Sequence, residues 1–185
     1  MEAGTLTALR SPRTLAIGTS VRIAACPIIM GLVLAHDYTS GTVLFLIAAA
    51  TDFIDGRLAR RWNAVTALGA FLDTTADKLL VCTAMLALVA VGRASPWIAL
   101  VIVGREFTIL GLRAAVSAEG SHFETSMFGK WKATVQFAAI AVAMMRPDVY
   151  IAGAYLDQWL LGAAAVITAW SGIDYLIRSA DALKS

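Results

Sequence analysis

Asp52-Phe53-Ile54-Asp55-Gly56-Arg57-Leu58-Ala59-Arg60, then eight residues, then Gly69-Ala70-Phe71-Leu72-Asp73-Thr74-Thr75-Ala76-Asp77, is the stretch on which the reading of the chain turns. Its four aspartates stand in segments that otherwise read as membrane-buried helix. Steps of three and four residues put Asp52, Asp55, Gly56 and Ala59 on one helical face, and Gly69, Asp73 and Asp77 along one face of the next helix. A short turn between two such helices lets the carboxylate faces meet. A charge at bilayer depth costs about 2.5 to 3.5 kcal/mol on insertion scales, so four of one sign require a compensating partner or a polar cavity. Hard oxygen donors with no His or Cys among them point to Mg2+, Mn2+ or Ca2+ rather than Zn2+ or Cu2+. Ion pairing with Arg57, Arg60, Arg61 and Lys78 would also satisfy the charge, but it does not require glycines on the carboxylate faces. Gly56 and Gly69 remove side chains where something must approach closely.

Working outward, 185 residues with 59% hydrophobic and 15% charged residues, and a mean hydropathy of +0.74, describe a polytopic membrane protein rather than a soluble domain. Six segments reach bilayer-spanning length, roughly 14–36, 39–60, 65–92, 95–117, 129–146 and 151–178. The expected fold is therefore all-α: one six-helix membrane domain over residues 1–185, with a short juxtamembrane stretch at 1–13 and a polar metal-binding cavity near the cytoplasmic side. Arg22 interrupts the first apolar segment just before Ile23-Ala24-Ala25-Cys26, which argues against cleavage there as a signal sequence.

Arg10, Arg13, Arg57, Arg60, Arg61, Arg113, Lys130, Lys132, Arg178 and Lys184 fall on one side of these spans, against Arg93 and Arg146 on the other. Both termini and the aspartates are thus expected at the cytoplasmic face of the cell membrane. A net charge of +2 gives no reason to expect nucleic acid. Cys26 and Cys82 stand alone in apolar segments and read as reduced core residues. His36 and His122 lie in loops without partners at ligand spacing, Pro27 should kink the first span, and Trp62, Trp97 and Trp159 sit near segment ends as interfacial anchors. Gly31 with Ala35, and Gly162 with its small neighbours, permit the close helix contact a homodimer would use.

The pattern D-x-x-D-G-x-x-A-R, eight residues, G-x-x-x-D-x-x-x-D is filled at every position, and in this it resembles the signature of the CDP-alcohol phosphotransferases, membrane enzymes of phospholipid synthesis. The likeness extends through Arg105-Glu106 and Gly129-Lys130-Trp131-Lys132-Ala133-Thr134 to bacterial members that make phosphatidylglycerophosphate, covering most of residues 50–135. It implies two divalent ions, usually Mg2+, with Mn2+ as the other option, held by Asp52, Asp55, Asp73 and Asp77 on the diphosphate of a CDP-linked lipid. Asp77 would be the general base for the acceptor hydroxyl. Gly56, Ala59, Arg60, Gly69 and Thr19 would bind the CDP-lipid. Relatives often carry an asparagine where Ala16 stands and a proline where Thr74 stands, while Thr19 and Arg22 keep the remainder of the small pattern in the first segment.

The implied reaction moves a phosphatidyl group from CDP-diacylglycerol to glycerol 3-phosphate and releases CMP. Arg105 and Arg113, eight residues apart and so within about 80 degrees on one face, are candidates for the acceptor phosphate together with Lys130 and, more weakly, Lys132. Two alternatives remain: the same donor chemistry with another acceptor, such as inositol phosphate or another alcohol, and a cation transporter with the aspartates as its ion path.

Overall fold

The computed structural model describes residues 12–62, 67–118 and 127–182, and the side chains of 18–51, 71–115 and 133–177. The described residues are helical apart from turns and one two-stranded hairpin: α1 Pro12–Leu34, α2 Tyr38–Trp62, α3 Ala67–Ala90, α4 Pro96–Ala118, α5 Met127–Met145, β1 Tyr150–Ile151, β2 Ala154–Tyr155 and α6 Leu156–Ala182. The all-α expectation holds. The chain divides into two compact units, Met1–Ala84 and Met85–Ser185, with the division inside α3.

In the first unit α1 packs on α2. Ile29 and Val33 on α1 and Gly41, Phe45 and Ala48 on α2 are buried at helical spacing, and a Cβ on Gly41 would stand 3.1 Å from Val33 Cγ2. The turn between the helices is specified locally. His36 adopts φ 63°; its N–H donates to Val33 O at 3.0 Å and that of Asp37 to Leu32 O at 2.9 Å, closing α1 with a Schellman cap. Asp37 then opens α2, accepting from the Ser40 N–H at 3.1 Å. His36 is thus a turn residue, while His122 lies outside the described residues. Pro27 sits inside α1, which continues from Pro12 to Leu34.

In the second unit α4 and α5 both pack on α6. Ile102 and Ile109 on α4, Ala139, Ile140, Ala143 and Met144 on α5, and Leu161, Ala164 and Ala165 on α6 supply its buried apolar residues. Gly92, at φ 69°, ends α3, and Ser95 Oγ accepts from the Trp97 N–H at 3.3 Å where α4 begins. Residues 151–155, expected at the start of the last span, instead form a hairpin together with Tyr150, with Tyr150 opposite Tyr155 and Ile151 opposite Ala154. Positive φ at Ala152 (49°) and Gly153 (88°) makes the tight turn that a helix could not accommodate. Arg146 donates to buried Asp157 at 3.3 Å and lies 5.2 Å above the Tyr155 ring, holding the hairpin to the α6 start.

Among the described residues Leu156–Ile177 is long and apolar enough to cross a membrane, with shorter apolar stretches at Gly18–Leu34, Tyr38–Thr51 and Ala133–Met145. The uninterrupted apolar runs are shorter than the helices because charges stand within them: Asp73, Asp77 and Lys78 in α3, Arg105, Glu106 and Arg113 in α4. On α6, Val166, Trp170, Ile173 and Ile177 form an exposed apolar stripe at helical spacing, which suits contact with lipid.

Candidate active site

The carboxylates come from consecutive helices of the first unit. α3 is regular through Asp73 and Asp77, so the two lie one turn apart on one face. Asp73 meets α1: Arg22 Nη1 donates to its Oδ1 at 3.0 Å, and Thr19 Oγ1 donates to the same oxygen at 3.5 Å. The Arg22 side chain is 0% exposed and that of Asp73 38%, so a buried cation holds a carboxylate that still reaches solvent. Thr19 and Arg22 are one helical turn apart on α1, which is why both reach one oxygen. Asp77 Oδ2 accepts from Lys78 Nζ at 2.9 Å, with both side chains about one-fifth exposed. Among the described residues, Oδ2 of Asp73 and Oδ1 of Asp77 accept no hydrogen bond. Within those residues each carboxylate keeps one hard oxygen donor uncommitted, the donor chemistry that Mg2+ or Mn2+ takes.

Asp52, Asp55, Gly56, Ala59 and Arg60 lie on α2 and Gly69 on α3, but their side chains are outside the described residues. The same holds for Lys130 and Lys132 on α5. Of the ion pairs weighed for the aspartates, that with Lys78 is present. The pair between Arg22 and Asp73 was not foreseen. Its signal was available, however: an arginine interrupting an apolar segment must find an anion.

The acceptor candidates Arg105 and Arg113 share the side of α4 that faces α6. Arg105 Nη2 donates to Ser171 Oγ at 3.0 Å and Nη1 to Glu106 Oε1 at 3.4 Å. Arg113 lies with its guanidinium carbon 5.7 Å from the Tyr175 ring centroid. Sequence reading missed Ser171 and Tyr175, because a serine and a tyrosine in a terminal apolar span carry no motif.

A chain with this helical architecture and with carboxylates held in this pattern belongs to the CDP-alcohol phosphatidyltransferase family, whose model matches residues 16–170. Enzymes of this family use divalent metal ions. Among its relatives, the CDP-diacylglycerol--glycerol-3-phosphate 3-phosphatidyltransferase of Bacillus subtilis (strain 168) is 35% identical over 184 residues, covering 90% of this chain and 95% of that protein. The proteins of the same name from Escherichia coli (strain K12) and Shigella flexneri serotype 5b (strain 8401) are each 41% identical over 142 residues, covering 74% of this chain and 76% of their own length.

Proposed function

We propose that this protein transfers the phosphatidyl group of CDP-diacylglycerol to glycerol 3-phosphate, giving phosphatidylglycerophosphate and CMP. The observation that carries the reading is the junction of Thr19 and Arg22 with Asp73, which joins the first span to one of the signature aspartates where a nucleotide diphosphate would be handled. The names of the relatives at 35–41% identity support the choice of donor and acceptor.

Asp52, Asp55, Asp73 and Asp77 would hold two divalent ions, Mg2+ or Mn2+, and the uncommitted oxygens of Asp73 and Asp77 fit that role. Such ions neutralise diphosphate charge and favour the leaving group. Arg22, buried against Asp73, orients that carboxylate. Gly56, Ala59, Arg60, Gly69 and Thr19 would bind the CDP-lipid, the glycines and alanine by leaving room beside the carboxylates. Asp77 takes the proton of the acceptor hydroxyl; the hydroxyl oxygen then bonds to the phosphorus bearing diacylglycerol while the bond from that phosphorus to CMP breaks. Arg105, Arg113, Lys130 and Lys132 bind the acceptor phosphate, for which two-point arginine contacts are suited.

The match of one family domain across residues 16–170 supports a single catalytic membrane domain. We place its six helices across the cell membrane with both termini and the aspartates on the cytoplasmic side, in keeping with the basic residues. The working form would be a homodimer; Gly31, where an added Cβ would meet nothing within 4 Å, leaves small-residue surface on α1 for close contact. CMP release from CDP-diacylglycerol, measured with glycerol 3-phosphate, inositol phosphate and neutral alcohols in parallel, tests the assignment. Glycerol 3-phosphate should be preferred. Preference for another acceptor, or ion flux without CMP release, would overturn it.

A further inference from the structure

Thr168, Ser171, Gly172 and Tyr175 follow one another along α6 at steps of three, one and three residues and occupy one face. The lipid-suited stripe of Val166, Trp170, Ile173 and Ile177 runs along another. A polar stripe on an apolar membrane helix is costly unless its groups find partners, and for Thr168 and Ser171 the partners are defined. Thr168 Oγ1 donates to Gln136 Oε1 of α5 at 3.3 Å, both buried. Ser171 Oγ accepts from Arg105 at 3.0 Å, and Arg113 rests over the Tyr175 ring. Gly172 is small for a packing reason: a Cβ there would stand 3.0 Å from Arg105 Cγ, tighter than ordinary contact. Three successive members of the stripe therefore touch the two arginines of α4.

We propose that Ser171, Gly172 and Tyr175 are positioning residues for the anionic acceptor, fixing Arg105 and Arg113 in the orientation that receives its phosphate. This deepens, and rests on, the acceptor assignment above. A free arginine side chain loses considerable rotamer freedom on binding, and a guanidinium already held loses less. Ser171 and Glu106 engage Nη2 and Nη1 of Arg105, using two of the five N–H groups of a guanidinium, while its buried Nε has no hydrogen-bond partner among the described residues. Tyr175 supports Arg113 through the ring face, a contact that leaves the in-plane N–H groups able to donate elsewhere.

The test is steady-state CMP release by the purified full-length chain, with KM determined separately for glycerol 3-phosphate and CDP-diacylglycerol. Ser171→Ala and Tyr175→Leu should each raise the glycerol 3-phosphate KM about three- to tenfold, less than removal of an arginine, because the cation remains and only its pre-organisation is lost. The KM for CDP-diacylglycerol should stay near wild type. Gly172→Ala should raise the acceptor KM less, since the arginine stem can give by a few tenths of an ångström. Ser171→Thr and Tyr175→Phe, which retain the hydroxyl and the ring, should behave nearly as wild type.

Equal losses for both substrates, accompanied by lower thermal midpoints, would reduce these residues to packing and overturn the proposal. Arg105→Ala and Arg113→Ala separate the two levels. If these raise the acceptor KM while Ser171→Ala and Tyr175→Leu do not, the positioning role is refuted and the acceptor assignment stands. If none of the four moves it, the acceptor assignment itself fails. Ser171 and Tyr175 touch different arginines, so a variant that does not insert leaves the other to decide.

Discussion

Replacing Arg22 with Met isolates what a buried cation contributes to the aspartate face. Methionine fills much of the space of the arginine stem and removes the guanidinium, whose Nη1 lies 3.0 Å from Asp73 Oδ1. A hydrogen bond to a charged group contributes about 1.5 to 3 kcal/mol, but water screens this pair because Asp73 is 38% exposed, which places the loss nearer about 1 to 2 kcal/mol. In rate terms that is about five- to thirtyfold in kcat/KM for CDP-diacylglycerol. Stability should change far less. Substituting an apolar residue for a buried charge removes a desolvation cost along with the pair, and the carboxylate left behind can hydrate. The assay is CMP release at saturating Mg2+ and glycerol 3-phosphate, with thermal unfolding measured in the same detergent and Arg22→Lys as the charge-retaining control. A folded Arg22→Met enzyme with kcat/KM within about twofold of wild type would show that Asp73 needs no orientation from α1. A collapse of the thermal midpoint by tens of degrees would show the pair to be structural instead.

Asp52→Asn, Asp55→Asn, Asp73→Asn and Asp77→Asn should each lower CMP release by about a hundredfold or more, and excess chelator should abolish it; near-normal turnover by inserted variants or in verified metal-free protein would contradict the proposed carboxylate roles. Arg113→Ala or Lys130→Ala should raise the glycerol 3-phosphate KM by about 13- to 160-fold, the equivalent of about 1.5 to 3 kcal/mol, with little change for CDP-diacylglycerol. Cysteines added at either terminus should resist an impermeant reagent applied outside intact cells, and labelling of either would contradict the proposed topology. Hydrogen bonds from Ser40, through its hydroxyl and then its backbone N–H, hold the Asp37 carboxyl below its ordinary value of 3.8. The folded state therefore favours the charged form, so this stabilisation is complete above that value and is lost as pH falls through the depressed one. Thermal midpoints of wild type and Asp37→Ala should converge under acid; a constant difference from neutral to acid pH would refute the charged cap.

The hairpin at residues 150–155 shows where periodicity ceases to inform. Apolar residues continue across that boundary, and only the positive φ values at Ala152 and Gly153 separate a turn from a helix start. The other helix limits agree with the sequence-based segments to within a few residues, because Schellman and N-terminal caps at His36, Asp37, Gly92 and Ser95 are local events, specified by neighbouring residues. The one-face placement of Asp73 and Asp77 was legible for the same reason, since helical geometry converts spacing directly into direction.

By itself, then, the sequence determined the helical class, the family and the carboxylate spacing, all of which depend on residues close in the chain or on a fixed pattern of types. Only the tertiary structure decided which distant side chains complete those faces: Arg22 with Asp73 across 51 positions, and Arg105 with Ser171 across 66. A buried charge declares that it needs a partner. Which partner it finds depends on how helices pack, and packing is settled by the summed contacts of many apolar side chains rather than by any spacing along one segment.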